Sequence, residues 1–160
     1  MQNGATVSHP HFAPHGADTS YVTLSVAGQL CGLPVMSVRD VLRQQVIAPV
    51  ALSSPAIAGN LNLRGHIVTA IDLRKRLNLP SAAADAERFA VVTEEGGEMY
   101  ALLADRICDV ITPNASMFEH MLPTLPANWA RYTAGLYRLE AGLMIVLNLS
   151  RLLALSTEAA

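Results

Sequence analysis

Aromatic side chains are scarce in this chain. Phe, Trp and Tyr make up 5% of its 160 residues, too few for the platform on which single-strand nucleic-acid binders stack successive bases. Charge is scarce as well: Asp, Glu, Lys and Arg total 15%, with a formal net charge of −2. That balance lacks the basic footprint expected of a protein that binds nucleic acid or an anionic lipid surface. There are only two cysteines, Cys31 and Cys108, with no C-x-x-C spacing. Both read as free thiols of a reducing, cytoplasmic compartment. The longest apolar stretch, residues 142–147, falls far short of the ~20 residues that span a bilayer, so no membrane insertion is expected. The first residues, MQNGATVSHPHFAPHG, have neither the basic start nor the apolar run of a signal peptide.

Motifs for catalysis are missing too. The sequence has no phosphate-binding glycine loop, no G-x-S-x-G and no H-E-x-x-H. Cys31 and His66 have no third group to orient them as nucleophile and base, so Cys31 reads as a core residue and His66 as a turn residue. His9, His11 and His15 sit in a Gly/Pro/Ser-rich stretch that fixes no ligand geometry. No metal site, cofactor or enzymatic activity is expected. Arg74-Lys75-Arg76, the densest basic run, reads as the solvated face of a short helix rather than a phosphate site.

What the chain does have is apolar residues, 51% of the total, in short alternating runs. In YVTLSV (21–26), Val22, Leu24 and Val26 face one way, giving a half-buried strand, and Ala27-Gly28-Gln29 supplies a turn before QLCGL, so a hairpin is expected. Further strands are expected at 35–42, 57–63, 66–71, 89–94, 99–104, 106–112, 134–139 and 143–147. Two short helices are expected, capped by Asp72 and Asn148. Residues 1–18 read as a disordered tail and 156–160 as a flexible end.

An internal repeat organises these runs. GNLNLRGHIVTAIDLRKRL (59–77) lies over GLYRLEAGLMIVLNLSRLL (135–153) without a gap, at an offset of 76 residues. GQLCGLPVMSVRDVL (28–42) lies over GEMYALLADRICDVI (97–111) at an offset of 69, so the second half carries seven extra residues within roughly 112–132. The expected fold is all-β: two antiparallel β-barrel subdomains packed on a shared core, with short helices. Subdomain one covers about 20–85 and subdomain two about 86–155, the terminal strands crossing over, within a single domain spanning 19–155.

One feature fits the barrel pattern poorly. In NLNLRGH, alternation turns Leu61 and Leu63 inward and Asn60, Asn62 and Arg64 outward, with Gly65 free to turn the chain at once. The second copy has Glu140-Ala141 where the first has Arg64-Gly65, so the fold does not require this arginine.

The run GNLNLRGHIVTAIDLR resembles the signature G-V-x-N-L-R-G-x-I-x-P-x-x-D-L-R of CheW-like chemotaxis coupling proteins. It matches at Gly59, Asn62, Leu63, Arg64, Gly65, Ile67, Asp72, Leu73 and Arg74. LADRICDVI is similar to the family's V-D-x-V-x-x-V segment through Asp105, Ile107 and Val110. The resemblance spans roughly 20–155 and implies two five-stranded antiparallel β-barrel subdomains, in accord with the repeat. It implies a non-enzymatic cytoplasmic adaptor, recruited to membrane receptor arrays. Its partners would be the regulatory domain of a CheA-type histidine kinase and the cytoplasmic tip of methyl-accepting receptors, the latter in the groove between subdomains. It also implies a partner-binding set of Arg64, Asp40, Gly59, Asn60, Asn62 and Gly65, with Asp40 pairing Arg64 in place of the family's longer glutamate. Asn60 and Thr69 depart from the usual valine and proline. The alternatives are a scaffold of the same fold in a non-chemotactic pathway, and a small nucleic-acid-binding barrel using Arg64, Arg74, Lys75 and Arg76.

Overall fold

A computed structural model describes residues 19–43, 47–49 and 54–155. The expected N-terminal tail and the C-terminal end at 156–160 lie outside the described residues. In chain order the strands are β1 (Tyr21–Val26), β2 (Gln29–Pro34), β3 (Val38–Arg43), β4 (Ile57–Leu63) and β5 (His66–Asp72), followed by helix α1 (Leu73–Arg76). Then come β6 (Phe89–Glu95), β7 (Glu98–Ala104), β8 (Arg106–Ile111), β9 (Phe118–Glu119), helix α2 (Ala127–Ala130), β10 (Thr133–Leu139), β11 (Gly142–Leu147) and helix α3 (Leu149–Leu152). Two elements escape the sequence reading, β9 and α2. Both fall in the stretch where the second repeat is longer.

The strands form a six-stranded sheet in the order β8-β1-β2-β11-β10-β9 and a five-stranded sheet in the order β3-β6-β7-β5-β4. Matching β1, β2, β3, β4 and β5 to β6, β7, β8, β10 and β11 carries the second order onto the first strand for strand, leaving β9 over. The repeat is therefore visible in three dimensions, but its two copies are exchanged. Hairpin β1–β2 of the first copy completes the sheet built from β8, β10 and β11, and hairpin β6–β7 of the second completes the sheet built from β3, β4 and β5. Where the copies meet, β2 runs parallel to β11 and β5 parallel to β7. Each otherwise antiparallel sheet thus contains one parallel pair. Each sheet curls around its own apolar cluster without closing into a hydrogen-bonded barrel.

Three apolar clusters hold this arrangement. The largest lies between the sheets and takes Leu24 and Leu33 from one, Ile71 and Leu102 from the other, and Leu73 and Leu152 from α1 and α3. A second fills the five-stranded sheet with Leu61, Leu63, Val68, Ala70, Val92 and Leu103. The third, inside the six-stranded sheet, is built on Tyr21 and Tyr137, whose hydroxyls are 3.1 Å apart. Strand β1 is consequently buried on both faces rather than one. Val22 and Leu24 alternate as expected, but Tyr21, in the third cluster, and Thr23 on the same opposite face are buried as well.

The helix caps follow the expectation. Asp72 accepts from the backbone N–H groups of Arg74 and Lys75, and Asn148 from that of Arg151. The basic run on α1 is not a solvated face. Arg74 forms a two-pronged pair with Asp105, from Nε to Oδ1 at 3.0 Å and from Nη2 to Oδ2 at 2.8 Å. Arg76 is buried and donates to the carbonyls of Leu152 at 2.8 Å and Arg151 at 2.9 Å, at the C-terminal end of α3, where carbonyl groups favour a cation. Only Lys75 is exposed.

Candidate functional site

Three hairpins turn through two central residues that both have positive φ: Ala27-Gly28, Arg64-Gly65 and Gly96-Gly97. This is the type I′ pattern, whose twist matches that of the flanking strands and which favours Asn-Gly. The fourth equivalent turn, Glu140-Ala141, has no positive φ at either central residue. Arg64 takes φ 50° and Gly65 takes φ 88°, with Leu63 facing His66 across the pair. Asn62 Oδ1 accepts from the Gly65 N–H at 2.9 Å and closes the turn. An L-residue without a local side-chain bond costs roughly 1–3 kcal/mol in this backbone region. Arg64 is a poor choice for the turn itself.

Its guanidinium lies beside Asp40, with Nη1 3.0 Å from Oδ2; the arginine side chain is 76% exposed and the aspartate 23%. Asp40 Oδ2 is off the N–H direction and makes no aligned hydrogen bond, while Oδ1 accepts from the backbone N–H of Val41 at 2.8 Å. The shorter carboxylate thus reaches the arginine at one point rather than gripping it with both oxygens. Asp40 belongs to β3 and Arg64 to the turn after β4, the two edges of the five-stranded sheet. The ion pair therefore spans the mouth of an unclosed barrel. Pairs this exposed contribute about 0.2–1 kcal/mol, so orientation of the guanidinium is the larger consequence. The corresponding positions of the second copy are Asp109 and Glu140, both acidic, so no such pair can form there.

The neighbouring residues fall into two groups. Asn62 and Gly65 are exposed beside Arg64, and Asn60 is half-buried. Gly59 is buried, and its role is in the frame beneath the surface. Ala48 and Asn60 exchange backbone hydrogen bonds of 2.8 Å, which brings the preceding connection across β4. A Cβ on Gly59 would lie 2.1 Å from the carbonyl oxygen of Ala48, and φ there is +147°. Its repeat partner Gly135 likewise makes room for Phe118 of β9, which pairs with β10 as Ala48 pairs with β4. The repeated glycine is thus the crossing point of the connection over the edge strand. Gly59→Ala is expected to detach the 47–49 segment, read as loss of amide-exchange protection at Ala48 and Asn60 and a destabilisation of about 2 kcal/mol or more.

Sequence reasoning missed two residues here. Ile67 is 69% exposed opposite Asn62, and Val41 is 43% exposed next to Asp40. The signal for Ile67 was its alternation against buried Val68; for Val41 nothing distinguished an outward apolar residue from a core one. The other candidates are not brought together. Cys31 is buried, and burial pushes its thiol up, away from the reactive thiolate, whereas His66 is exposed at the hairpin. Cys108 is free and exposed. Of the cations in the nucleic-acid reading, Arg74 and Arg76 are committed to Asp105 and to α3, which leaves no continuous basic stripe. Among the described residues no helix is long and apolar enough to cross a membrane.

Residues 20–156 match the model of the CheW-like domain. The chain belongs to the CheW-like family. Among relatives, the chemotaxis protein CheW of Treponema pallidum (strain Nichols) is 24% identical over 159 residues, covering 95% of this chain and 93% of that protein. The chemotaxis protein CheW of Bacillus subtilis (strain 168) is 33% identical over 99 residues, 61% of this chain and 63% of that protein. The crystal structure of the scaffolding protein TtCheW from Thermoanaerobacter tengcongensis superposes with a TM-score of 0.73 at 24% identity, covering 81% of this chain and 88% of that one. That likeness confirms the CheW-like fold, two strand-rich subdomains with few short helices.

Proposed function

We propose that this CheW-like chain is a non-enzymatic chemotaxis scaffold, coupling the regulatory domain of a CheA-type histidine kinase to the cytoplasmic tip of methyl-accepting receptors. It would be cytoplasmic and drawn to membrane receptor arrays through those partners. Arg64, with Asp40, Asn60, Asn62 and Gly65 around it, would form a protein-docking surface, and the receptor hairpin would sit in the groove between the sheets. The observation that carries this reading is the arginine held at an exposed hairpin tip. Its backbone is strained, its ion pair is weak, and the matching turn of the repeat does without it. Such a residue serves something other than the fold. Arginine presents a planar fork of donors and is enriched at protein interfaces, and exposed Ile67 and Val41 add apolar area beside it.

The test separates docking from stability. Asn adopts positive φ readily, so Arg64→Asn should leave Tm unchanged or raise it. The same substitution should weaken capture of the purified kinase or of a receptor signalling fragment by ~10-fold or more. Undiminished binding to both partners by the folded variant would remove Arg64 from the interface, and failure of the native chain to bind either would defeat the scaffold reading itself.

A further inference from the structure

Hairpin β6–β7 carries two carboxylates that the fold does not use. Glu95 and Glu98 face each other across its Gly96-Gly97 turn. Like charges directly opposite in an antiparallel pair destabilise it. Among the described residues no Lys or Arg pairs with either of them. Their partners are neutral hydroxyls: Glu95 Oε2 accepts from Ser150 at 3.1 Å, and Glu98 Oε1 from Tyr100 at 3.3 Å. In the matching hairpin of the repeat, β1–β2, the same positions hold Val26 and Gln29, which flank a turn of the same type without any charge. We infer that the Glu95–Glu98 pair receives a lysine or arginine side chain of a partner helix, laid over the outer face of the five-stranded sheet with an aliphatic residue one turn away on Ile67.

Strand register builds this face. Asn60, Thr69, Tyr100 and Thr93 stand level across β4, β5, β7 and β6. Two residues nearer the hairpin ends, the next row on the same face is Asn62, Ile67, Glu98 and Glu95. Leu61, Val68, Ala101 and Val92 point the other way, into the cluster inside the sheet. Asn62, Ile67 and Glu98 are exposed. Ile67 and Glu98 lie on neighbouring strands, about 4.8 Å apart, close to the roughly 5–6 Å between side chains one helical turn apart. Through Asn62 the row continues into the surface around Arg64, and the inference rests on the docking role proposed for that surface.

Two concave places flank the carboxylates. A cleft of about 400 Å³ lies beside Glu95, lined also by Pro34, Ser37, Leu149 and Ser150. A depression of about 420 Å³ lies beside Glu98, lined also by Ile67, Thr69 and Met99. Both offer apolar area to the stem of a long cationic side chain. Arg151, on the wall of the cleft, donates from Nη1 to the Arg131 carbonyl at 3.4 Å and makes no ion pair with Glu95. Thr93 lies one pleat beneath Glu95 on the same face. It is 0% exposed, and its hydroxyl has no hydrogen-bond partner, which costs stability. An N–H donor seated between the carboxylates would supply what that hydroxyl lacks.

The full chain would be titrated, under amide NMR, with an alanine-based helical peptide of about 20 residues carrying Arg and Leu one turn apart. A twin peptide with Gln in place of Arg serves as the comparison, at matched ionic strength. Saturable shifts at Ile67, Thr69, Glu98 and Tyr100 are expected, with the twin binding about 3-fold more weakly. The Glu95→Gln/Glu98→Gln variant keeps acceptors for both hydroxyls. It should erase the difference between the peptides while its Tm stays level or rises. Absence of shifts at those residues, equal binding of the two peptides, a difference that survives in the variant, or a lower Tm of the variant would each overturn the inference. The docking role of Arg64 fails by a separate result, undiminished capture of kinase and receptor by Arg64→Asn, so the two failures are distinguishable.

Discussion

Cut in the exposed connection between Ala84 and Asp85, the chain is expected to yield two fragments that do not fold alone and that rebuild the native protein when mixed. Within the first fragment β3 has no neighbouring strand, because it pairs with β6 alone. Within the second, β8 has none, because it pairs with β1 alone. What each fragment keeps is mostly separate hairpins, and an isolated two-stranded hairpin is marginally stable at best in water. The central apolar cluster is shared by both fragments, so neither can bury it. The polar links cross as well: Asp72 to Arg88, Arg74 to Asp105 and Arg76 to Leu152. Each fragment alone should lack dispersed amide resonances, and an equimolar mixture should recover the spectrum of the intact chain as a one-to-one complex. A cooperative unfolding transition in either isolated fragment would show that the exchanged sheets are not needed for folding.

Removing the Asp105 carboxylate should cost about 2–3 kcal/mol, the largest single-residue effect expected at a site away from the hydrophobic core. Asp105 sits where the chain leaves β7 in one sheet for β8 in the other. It accepts both prongs of Arg74, and its Oδ2 also accepts the N–H of Ala27 at 2.7 Å, in the β1–β2 turn of the opposite sheet. Three separate elements thus meet at one carboxylate whose side chain is only 21% exposed. Asp105→Asn keeps the shape but loses the charge that the Arg74 fork recognises, and Asp105→Ala leaves both Arg74 and the turn N–H without their acceptor. Tm should fall by roughly 5–10 °C.

The pH dependence gives the same prediction a second readout. Burial alone would push the Asp105 carboxyl up, but the Arg74 hydrogen bonds, the Ala27 N–H and the charges of Arg74 and Arg88 outweigh it and hold the group below its ordinary value of 3.8. A carboxyl depressed in the folded state stabilises fully above its unfolded pKa and loses that contribution as pH falls through the folded one. Wild-type stability should therefore decline below about pH 4 more steeply than that of Asp105→Asn. Parallel curves would mean that the pair contributes nothing through charge.

Much of this fold is legible in the sequence because its signals are local. Alternation and turn signals located ten of the strands, from residues such as Leu61 and Leu63, and the caps Asp72 and Asn148 located two of the helices. The repeat gave their equivalence. Which copy a hairpin pairs with leaves no local trace, since Tyr21–Val26 would read the same beside β3 as beside β8. A crossing-over of terminal strands was expected, but not the strands they would meet, and the two parallel pairs and the burial of both faces of β1 follow from those partners. Arg76 was misread for a similar reason. Its acceptors are backbone carbonyls of α3, which have no residue signature, so a buried arginine looked like one more solvated cation. At the candidate site, alternation alone put Arg64 on the outer face. Its pairing with Asp40 came from the family resemblance, and only the structure shows that the two residues sit on opposite edges of one sheet.

The exchange of copies also sets the order in which the chain can mature on a ribosome. Hairpin β1–β2 is made first, but its outer neighbours are β8 and β11, and β11 is completed only at Leu147. Strands β1 and β2 must wait for β8 and β11, at a synthesis rate of about 5–20 residues per second. Through that interval the nascent chain carries open strand edges, and its six-stranded sheet can be completed only after β11 has been made.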